Sequence, residues 1–430
     1  MSDLVSNLGL GFSLALGFQN IFLCFIGVLV GTLIGVLPGV GSVATIAMLL
    51  PITIGLPPIG ALIMLAGIYY GAQYGGSTTS ILVNIPGEAS SVVTTLDGHQ
   101  MALQGRAGPA LAISAIGSFV AGSVATIFVA ALGVPLTKMA MRFGPAEYFS
   151  LMVVGLIFAV VLAKGSLPKA VMMVLFGLLM SQVGLDMETA TARMTFDLPE
   201  LADGISLAVV AMGLFGFAEV IRNLEGETSR EILKTKITGL MPKLADLKTA
   251  SPAIVRGTIL GSLLGVLPGG GNIIASFAAY GLEKKCSSHP EKFGTGVIEG
   301  VAGPESANNA AAQTSFIPLL SLGIPPNAVM ALMVGAMMGI VPGPQIISKQ
   351  PDLFWALVAS MWIGNLMLVI INLPLIGIWV KLLSIPYRLL YPCILMFCCI
   401  GIFSINNSTF DVIVAGAVGV VGVFKVKNDF

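Results

Sequence analysis

The chain has 430 residues, of which 56% are hydrophobic and only 10% are charged, whereas about 25% of residues are charged in a typical soluble domain. So few charges cannot cover the surface of a soluble protein of this size, and the composition therefore favours a chain whose outer surface faces lipid. Basic and acidic residues balance at 21 each, and this balance leaves no basic surface for nucleic acid.

Long uncharged tracts begin near the N-terminus. No charged residue lies between Asp3 and Glu88, or between Arg106 and Lys138. A membrane-spanning helix needs about 20 apolar residues and satisfies its own backbone polar groups. Runs such as 151–163 are apolar on every face, which argues for helices and against the alternating strands of a membrane barrel. Membrane segments are predicted, in chain order, near 20–37, 40–83 in broken pieces, 109–134, 147–163, 167–185, 203–221, 253–282, 313–341, 353–380, 389–405 and 409–424.

The longest polar stretch, 222–256, separates the earlier membrane segments from the later ones. It carries seven lysine and arginine residues, and short basic loops tend to face the cytoplasm. We therefore expect a cytoplasmic polar linker here. The acidic stretch 186–203 lies one helix earlier, so it is expected on the outer side, where it is a candidate docking surface for a partner protein.

Two segments of the chain resemble each other. Residues 27–41 read GVLVGTLIGVLPGVG and residues 257–271 read GTILGSLLGVLPGGG, with nine of fifteen positions identical. The segments 85–89 and 324–328, IPGEA and IPPNA, form a second pair. The sequence thus predicts an all-α fold: a polytopic helical membrane protein with two homologous repeats, broken helices and re-entrant segments. The first repeat is placed at 1–221 and the second at 257–430.

The Leu-Pro-Gly signature in each repeat is predicted to break a helix. Proline removes an amide donor and clashes with the preceding turn, while the glycines permit positive φ values. A simple kink is one interpretation. The other is a binding site, because a broken helix in lipid exposes polar groups that a bound ion can satisfy. Gly/Pro-interrupted segments in both halves are the usual pointer to a transporter's binding site. The candidate residues at the two breaks are Pro38, Gly39, Gly41, Pro268, Gly269 and Gly271.

Each half also carries a cluster of polar side chains within apolar sequence. These groups can bind a carboxylate or a sodium ion without burying an unpaired charge, and the alternative is hydrogen bonding between helices. We expect both clusters to line one shared cavity together with the two Leu-Pro-Gly breaks. Glu88 and Glu305 are the acidic groups nearest the clusters and are candidates for coupling to an ion, with Na⁺ or H⁺ as that ion and the ligands of a sodium ion unassigned. The candidate substrate-binding residues of the clusters are Ser77, Thr78, Thr79, Ser80, Asn84, Asn308, Asn309 and Pro325.

Other classes of function fit the sequence less well. A membrane enzyme would need a nucleophile with a base or a metal pair, and the two histidines lie in separate polar turns. No lysine follows the glycines of GAQYGGSTTS, so a phosphate-binding loop for ATP is absent. No organic cofactor is expected. An ion channel or a non-catalytic scaffold subunit remains an alternative, although repeated broken helices are more typical of alternating access.

The chain resembles the TctA family, the large membrane subunit of tripartite tricarboxylate transporters. The motifs that carry the resemblance include GTLIGVLPGVGSVATIAMLLP, AGIYYGAQYGGSTTSILVNIPGE and IEGVAGPESANNAAA, and it covers nearly the whole chain. The resemblance implies a multi-pass permease of the bacterial inner membrane. It also implies two partners, a small membrane subunit of the TctB type and a periplasmic binding protein of the TctC type. It further implies symport of citrate or another tri- or dicarboxylate, driven by an ion gradient.

The sequence departs from the family pattern in two places. Pro326 stands where the family, like the first half of this chain, often has glycine. Family members usually continue after the FDV segment with a further apolar hairpin, whereas this chain ends in VFKVKNDF. A lost helix would leave an apolar groove uncovered, so assembly and activity are expected to depend on this end of the chain.

Overall fold

A computed structural model describes residues 2–37, 41–53, 55–162, 166–186, 189, 191–206, 209–210, 212–218, 221, 240–267, 271–336, 342–383 and 387–427. The described residues fold mainly into helices, and the prediction of an all-α polytopic protein is confirmed. We number the main helices α1 (Ser2–Ala15), α2 (Phe18–Gly35), α3 (Gly41–Thr53), α4 (Pro58–Val83), α5 (Ala107–Ala140), α6 (Pro145–Leu162), α7 (Leu167–Met180), α8 (Leu244–Leu264), α9 (Gly271–Cys286), α10 (Glu299–Thr314), α11 (Phe316–Leu322), α12 (Ala328–Ala336), α13 (Gln345–Lys349), α14 (Pro351–Asn372), α15 (Ile376–Leu382), α16 (Tyr387–Asn406) and α17 (Thr409–Lys427).

Shorter elements connect these helices. Between α4 and α5, residues 89–103 form one continuous helical segment that includes a π-helical turn at Thr95–His99. A second π-helical turn covers Met212–Phe217 and packs against α17. In the described part of the chain, strands occur only as a two-residue antiparallel pair, in which Gly184–Leu185, directly before the predicted acidic outer loop, pairs with Ala192–Arg193 inside it.

Among the residues that the structure describes, three helices are long and apolar enough to cross a membrane by length and composition: α2, α5 and α14. Shorter apolar helices include α3, α6, α7 and α17. Helix α7 packs against α6 and buries none of its own side chains, although it consists largely of Leu, Val, Met and Phe. So much exposed apolar surface is costly in water and normal in lipid. The periphery of the fold is therefore a lipid-facing surface.

Two helices form the centre of the molecule. Every residue of α4 from Gly60 to Val83 is buried, and so is every residue of α10 from Gly300 to Thr314. A helix buried on all faces must be apolar or must have partners for its polar groups. Helix α4 is apolar in its first half and carries Gln73 and the hydroxyl residues 77–80 in its second, whereas α10 combines Ala and Gly with several polar side chains. The polar side chains of the core therefore lie on both central helices.

In the first half of the chain, glycines hold α2 closely against α4. A Cβ added at Gly27, Gly31 or Gly35 would collide with the backbone of α4 at Met64, Ile68 or Ala72, respectively. Three glycines at a spacing of four residues lie on one helix face. The spacing therefore sets the contact between the two helices.

In the second half, α8 packs against α10 in the same way. A Cβ added at Gly257, Gly261 or Gly265 would collide with the backbone of Gly303, Ala307 or Ala311. The close approach predicted for the glycine-rich faces is observed in both places. The internal repeat itself stays a prediction, but its two most similar segments adopt corresponding contacts.

Several segments differ from the expectations drawn from hydropathy. Helix α1 lies outside the predicted membrane segments, and the polar segment 299–314 is a buried helix rather than a connection. Helix α8 begins at Leu244, within the stretch predicted as a linker, whereas 222–239 lie outside the described residues. Apolarity alone missed α10 because a helix with this many polar side chains resembles a connecting loop in a hydropathy profile.

Candidate functional site

A cavity of about 450 Å³ lies between the first half of the chain, residues up to 221, and the second half, residues from 240 onward. This volume lies within the range of small-molecule sites, roughly 300–1,000 Å³. The walls come from the starts of α3, α9 and α12, from α4, and from the start of the helical segment 89–103. Lining residues are Gly41, Ser42, Val43, Tyr69, Glu88, Ala89, Ser90, Asn272, Ile273, Pro326, Asn327, Ala328 and Val329.

Helix N-termini form two parts of the wall. Helix α2 ends at Gly35 and α3 begins at Gly41, while α8 ends at Leu264 and α9 begins at Gly271. The first turn of each new helix carries backbone N–H groups without partners in the helix, and the helix dipole makes this end positive. An anion is stabilised at such a position. The start of α12 adds a third positive end to the same cavity.

The predicted breaks at Leu-Pro-Gly are only partly within the described residues. Pro38, Gly39, Pro268 and Gly269 lie outside them, so their predicted approach to one another stays a prediction. Gly41 lines the cavity with a φ of 63°, a left-handed value that favours glycine. Gly271 begins α9 and packs against Leu264 and Gly265, and it is not among the lining residues.

The chain turns back after α4 in the first half and after α11, which follows α10, in the second half, and the two turns share one pattern. Helix α4 ends at Asn84 with a φ of 59°, and α11 ends at Gly323 with a φ of 75°. A left-handed residue is a common way to end a helix. The chain then runs through Ile-Pro to Glu88 in the first half and to Asn327 in the second, and both line the cavity.

Two of the predicted binding residues lie in these return segments without reaching the cavity. Asn84 is exposed and supplies the left-handed end of α4. Pro325 is half-buried, and its neighbour Pro326 lines the cavity instead. The return segments thus carry the predicted residues close to the site, but different members of each segment form its wall.

Glu88 lies against the N-terminus of α3. The Ser42 hydroxyl and backbone N–H lie beside the Glu88 carboxyl. The other side of the residue packs on α4 at Gly76, where an added Cβ would lie 3.1 Å from the Glu88 backbone nitrogen. One carboxyl oxygen, Oε1, is buried without a hydrogen-bond partner. Glu88 therefore reaches the cavity with part of its hydrogen-bonding capacity unused.

The hydroxyls predicted on α4 are brought together, but outside the cavity wall. Thr79 donates to the Val36 carbonyl oxygen at 2.7 Å, which ties α4 to the end of α2. Ser80 donates to Ser91 at 2.9 Å in the helical segment 89–103. Thr78 donates only to its own helix, to the Tyr74 carbonyl oxygen at 3.3 Å. Thr79 and Ser80 thus form hydrogen bonds between elements around the site, whereas Thr78 bonds within its own helix, and substrate binding by these three residues stays a prediction.

Glu305 is the buried acidic side chain of α10, and first-half hydroxyls surround it. Ser77 donates to its Oε2 at 2.5 Å, Thr94 donates to its Oε1, and Ser114 of α5 donates as well. Hydroxyl donors stabilise a carboxylate that has been removed from water. Glu305 therefore connects the second half to three elements of the first half. It does not line the cavity.

The two predicted asparagines of α10 differ in their contacts. Asn309 donates to Ser118 of α5 at 2.7 Å and to the Glu305 carbonyl oxygen at 3.1 Å. Both side-chain amide atoms of Asn308 are buried without a hydrogen-bond partner. An unsatisfied buried amide costs about 1–3 kcal/mol. Asn309 is thus a bridge between helices, and Asn308 keeps its hydrogen-bonding capacity free.

Sequence reasoning missed several residues at or near the site. Ser42 and Asn272 directly follow the last glycine of the two similar segments, so extending that alignment by one position would have found them. Asp97 gave no signal, because it lies in the polar turn LDGHQ and resembles a solvated residue. The structure buries it completely: Gly294, Gly296 and Val297 donate backbone N–H bonds to Oδ1 at 2.8–3.0 Å.

Comparison with known proteins adds the family. The model described as "Tripartite tricarboxylate transporter TctA family" matches residues 21–430. The chain belongs to this family. It is 59% identical over 424 residues to a protein of Agrobacterium vitis described as an uncharacterized 52.8 kDa protein in the TAR-I ttuC' 3' region, covering 97% of this chain and 84% of that protein. An uncharacterized protein in the TAR-II ttuC' 3' region of the same organism is 67% identical over 166 residues, which is 37% of this chain and 69% of that protein. No solved structure matches the chain.

Membership of the TctA family confirms the resemblance found in the sequence. The TctA family is a component of a tricarboxylate transporter that works with partner subunits, so this chain is a membrane-embedded transporter subunit. The cavity between helix N-termini is thus the part of this TctA-family protein that needs a functional explanation.

Proposed function

We propose that the chain is the permease subunit of an ion-gradient-driven importer of tri- or dicarboxylates, and that the cavity binds the substrate. The observation that carries this proposal is the joint lining of one cavity by the first residues of α3, α9 and α12. Several carboxylates on one small molecule need several positive ends within a few ångströms. Helix N-termini supply these ends without buried lysine or arginine.

The neutral lining residues suit a ligand that must also leave. Among the described lining residues, Ser42, Asn272 and Asn327 offer hydroxyl and amide donors, and none carries a positive charge. A fixed cation would hold a multiply charged anion tightly, whereas dipoles and amides bind it more weakly. Moderate binding at the interface of two halves is typical of secondary transporters.

The remaining parts of the proposal follow from the family. In this proposal a TctC-type periplasmic binding protein delivers the carboxylate, a TctB-type small subunit completes the membrane complex, and the assembly lies in the bacterial inner membrane. Residues 1–221 and 257–430 act as two repeats joined by the cytoplasmic linker 222–256. Na⁺ or H⁺ supplies the driving force, with Glu88 and Glu305 as the groups that respond to it.

The test is uptake of labelled citrate into proteoliposomes that contain the chain with both partner subunits. Sodium and proton gradients are imposed separately. We expect uptake above the equilibrium level with one of the two gradients, and Asn272→Asp is expected to lower the initial rate about tenfold because it places a negative charge at the α9 N-terminus. Asn407→Asp is the matched control, since Asn407 is exposed in the turn before α17.

The same experiment separates the alternatives. A channel would let labelled citrate equilibrate without accumulating it, whatever gradient is imposed. A scaffold subunit would leave uptake unchanged in Asn272→Asp. Equal rates for Asn272→Asp and Asn407→Asp would remove the cavity from the transport path.

A further inference from the structure

Glu88 is the only charged side chain among the described residues that line the cavity. Its position is unexpected in a site proposed to bind anions, because it brings a negative charge to the wall. The corresponding residue of the second half, Asn327, is neutral. The cavity therefore has similar helix ends on its two sides and different side chains next to them.

Asn327 and Glu88 are used differently. The Asn327 side-chain oxygen accepts the Met330 backbone N–H at 2.9 Å and so caps the start of its own helix, α12. Glu88 instead lies beside Ser42 at the start of α3, and its Oε1 keeps no partner. The Glu88 carboxylate thus occupies the α3 N-terminus in the way that a substrate carboxylate would. Asn272 at the start of α9 has no acidic side chain beside it among the lining residues.

We propose that Glu88 is a built-in competitor of the substrate, and that a substrate with two or more carboxylates binds fully only when a proton neutralises Glu88. This inference rests on the proposed carboxylate site. With Glu88 charged, one substrate carboxylate can lie at the start of α9, while the start of α3 is already occupied by an anion. A proton from solution that binds to a Glu88 oxygen removes the repulsion and frees the α3 N-terminus for a second carboxylate. Substrate and proton then enter the cavity together.

The surroundings of Glu88 contain little else that can titrate. From α4 it is faced by the Tyr69 phenol and by Gly76, from α3 by Ser42, and from its own segment by Ser90. The cavity walls contributed by α9 and α12 contain no charged or titratable side chain. A pH dependence of anion binding that is lost when Glu88 is neutralised therefore reports on Glu88 itself.

The test measures binding of labelled citrate and of labelled propionate to the purified complex in lipid nanodiscs at about pH 6 and about pH 8. Wild type is compared with Glu88→Gln, and Glu291→Gln, in an exposed loop, controls for the loss of a carboxylate elsewhere. At the higher pH, Glu88→Gln is expected to bind citrate about tenfold more tightly than wild type, and this ratio should shrink at the lower pH. The protonation of citrate itself is the same for both proteins at a given pH, so it cancels in the ratio of their affinities. Propionate, with one carboxylate, should show a ratio near one.

A converse variant keeps the proposal testable if Glu88→Gln does not fold. Asn327→Asp adds a second carboxylate to the same cavity, and it is expected to weaken citrate binding about tenfold at the higher pH. A constant citrate ratio between Glu88→Gln and wild type at both pH values would overturn the inference while leaving the carboxylate site intact. A citrate affinity that changes with sodium concentration at fixed pH would also overturn the inference and leave the carboxylate site intact. Absence of citrate binding in wild type and all variants would overturn the proposed function and this inference together.

Discussion

The α2 and α4 pair of the first half and the α8 and α10 pair of the second half are joined by the same contacts, yet their polar side chains differ. Gly35 approaches Ala72 as Gly265 approaches Ala311. Six residues before those contacts, the first half has an alanine at position 66 and the second half has Glu305. The close backbone packing occurs in both helix pairs, whereas only the second pair has a buried carboxylate, Glu305, at this position.

This difference separates the residues that determine how the helices pack from the residues that carry charged side chains. Glycine spacing and left-handed helix ends recur in the two halves, because they determine how closely backbones approach and where helices stop. Glu88 and Glu305 occur once each, and both lie where the halves meet. The carboxylates are thus where the side-chain chemistry of the two halves differs.

The largest expected effect comes from replacing Asp97, which connects the two halves. This first-half carboxylate accepts three backbone N–H groups of the second-half loop 294–297 and the Tyr280 hydroxyl at 2.9 Å. Asp97→Ala leaves these donors unpaired, the buried Gly296 N–H among them, and we expect the free energy of unfolding to fall by about 4 kcal/mol or more. Denaturant titration in mixed micelles measures it.

Tyr280→Phe is the matched control for Asp97→Ala. It removes one of the four bonds and keeps the ring, which packs edge-on against Phe293 at 5.4 Å between centroids. A loss of about 1 kcal/mol is expected. Similar losses in the two variants would mean that the loop does not depend on Asp97.

The next effect tests whether the two glycine contacts are equivalent. Gly31→Ala and Gly261→Ala each place a methyl group against the backbone of the facing helix, which cannot move aside as a side chain can. We expect each to lower the free energy of unfolding by about 2 kcal/mol. Thermal unfolding in nanodiscs should show similar shifts for the two.

Gly155→Ala in α6 is the control for these glycines, because a Cβ at Gly155 meets nothing within 4 Å. It should be neutral or slightly stabilising, since alanine favours the helix. A large loss for Gly31→Ala beside a negligible one for Gly261→Ala would show that the second half can adjust where the first cannot.

The sequence predicted the parts of this fold that depend on local pattern. Hydropathy located most apolar helices, and the repeated spacing of Gly27, Gly31 and Gly35 predicted the close helix contact that is observed. It failed for α10, since a buried helix with polar side chains looks like a loop until its partners are known. Those partners, such as Thr94 for Glu305, come from distant parts of the chain, and no local pattern reveals them.

That the predicted site residues bind substrate stays a prediction. Gly41 and Glu88 line the cavity. Ser77 and Asn309 are instead used in hydrogen bonds between helices. Composition indicates that small polar groups are buried, but whether they face a cavity or another helix depends on rotation about the helix axis. Turning the helix about its axis by one residue position changes which side chains face the cavity. Sequence periodicity is too coarse to resolve this rotation in helices that are buried on all faces.

A smaller expected effect comes from weakening the hydrogen bonds through which Glu305 connects the two halves. Thr94→Val removes one hydroxyl donor, and Glu305→Gln removes the charge that strengthens it. A double-mutant cycle between the two should give a coupling free energy of about 2 kcal/mol, as for a buried hydrogen bond to a charged group. Coupling between Ser360→Ala and Glu305→Gln is the control and should be near zero, because the Ser360 hydroxyl bonds only its own helix, at Leu357. Equal coupling in both cycles would mean that Glu305 acts through the general stability of the core.

The smallest effect concerns an ion pair that only the second half carries. Arg256 precedes Gly257 as Ile26 precedes Gly27, and its guanidinium binds the Glu283 carboxylate through two contacts, at 2.9 and 2.5 Å. The Glu283 side chain is 1% exposed, so it depends on this partner, whereas the Arg256 side chain is 38% exposed and part of the pair is screened by solvent. Arg256→Lys keeps the charge but cannot reproduce the two parallel contacts, and we expect a loss of about 1 kcal/mol in unfolding free energy. Arg193→Lys, in the exposed pair with Asp186, should change stability by less than about 0.5 kcal/mol. If both variants lose the same amount, burial of Glu283 contributes nothing to the pair, and the second half is held at this end by packing alone, as the first half is at Ile26.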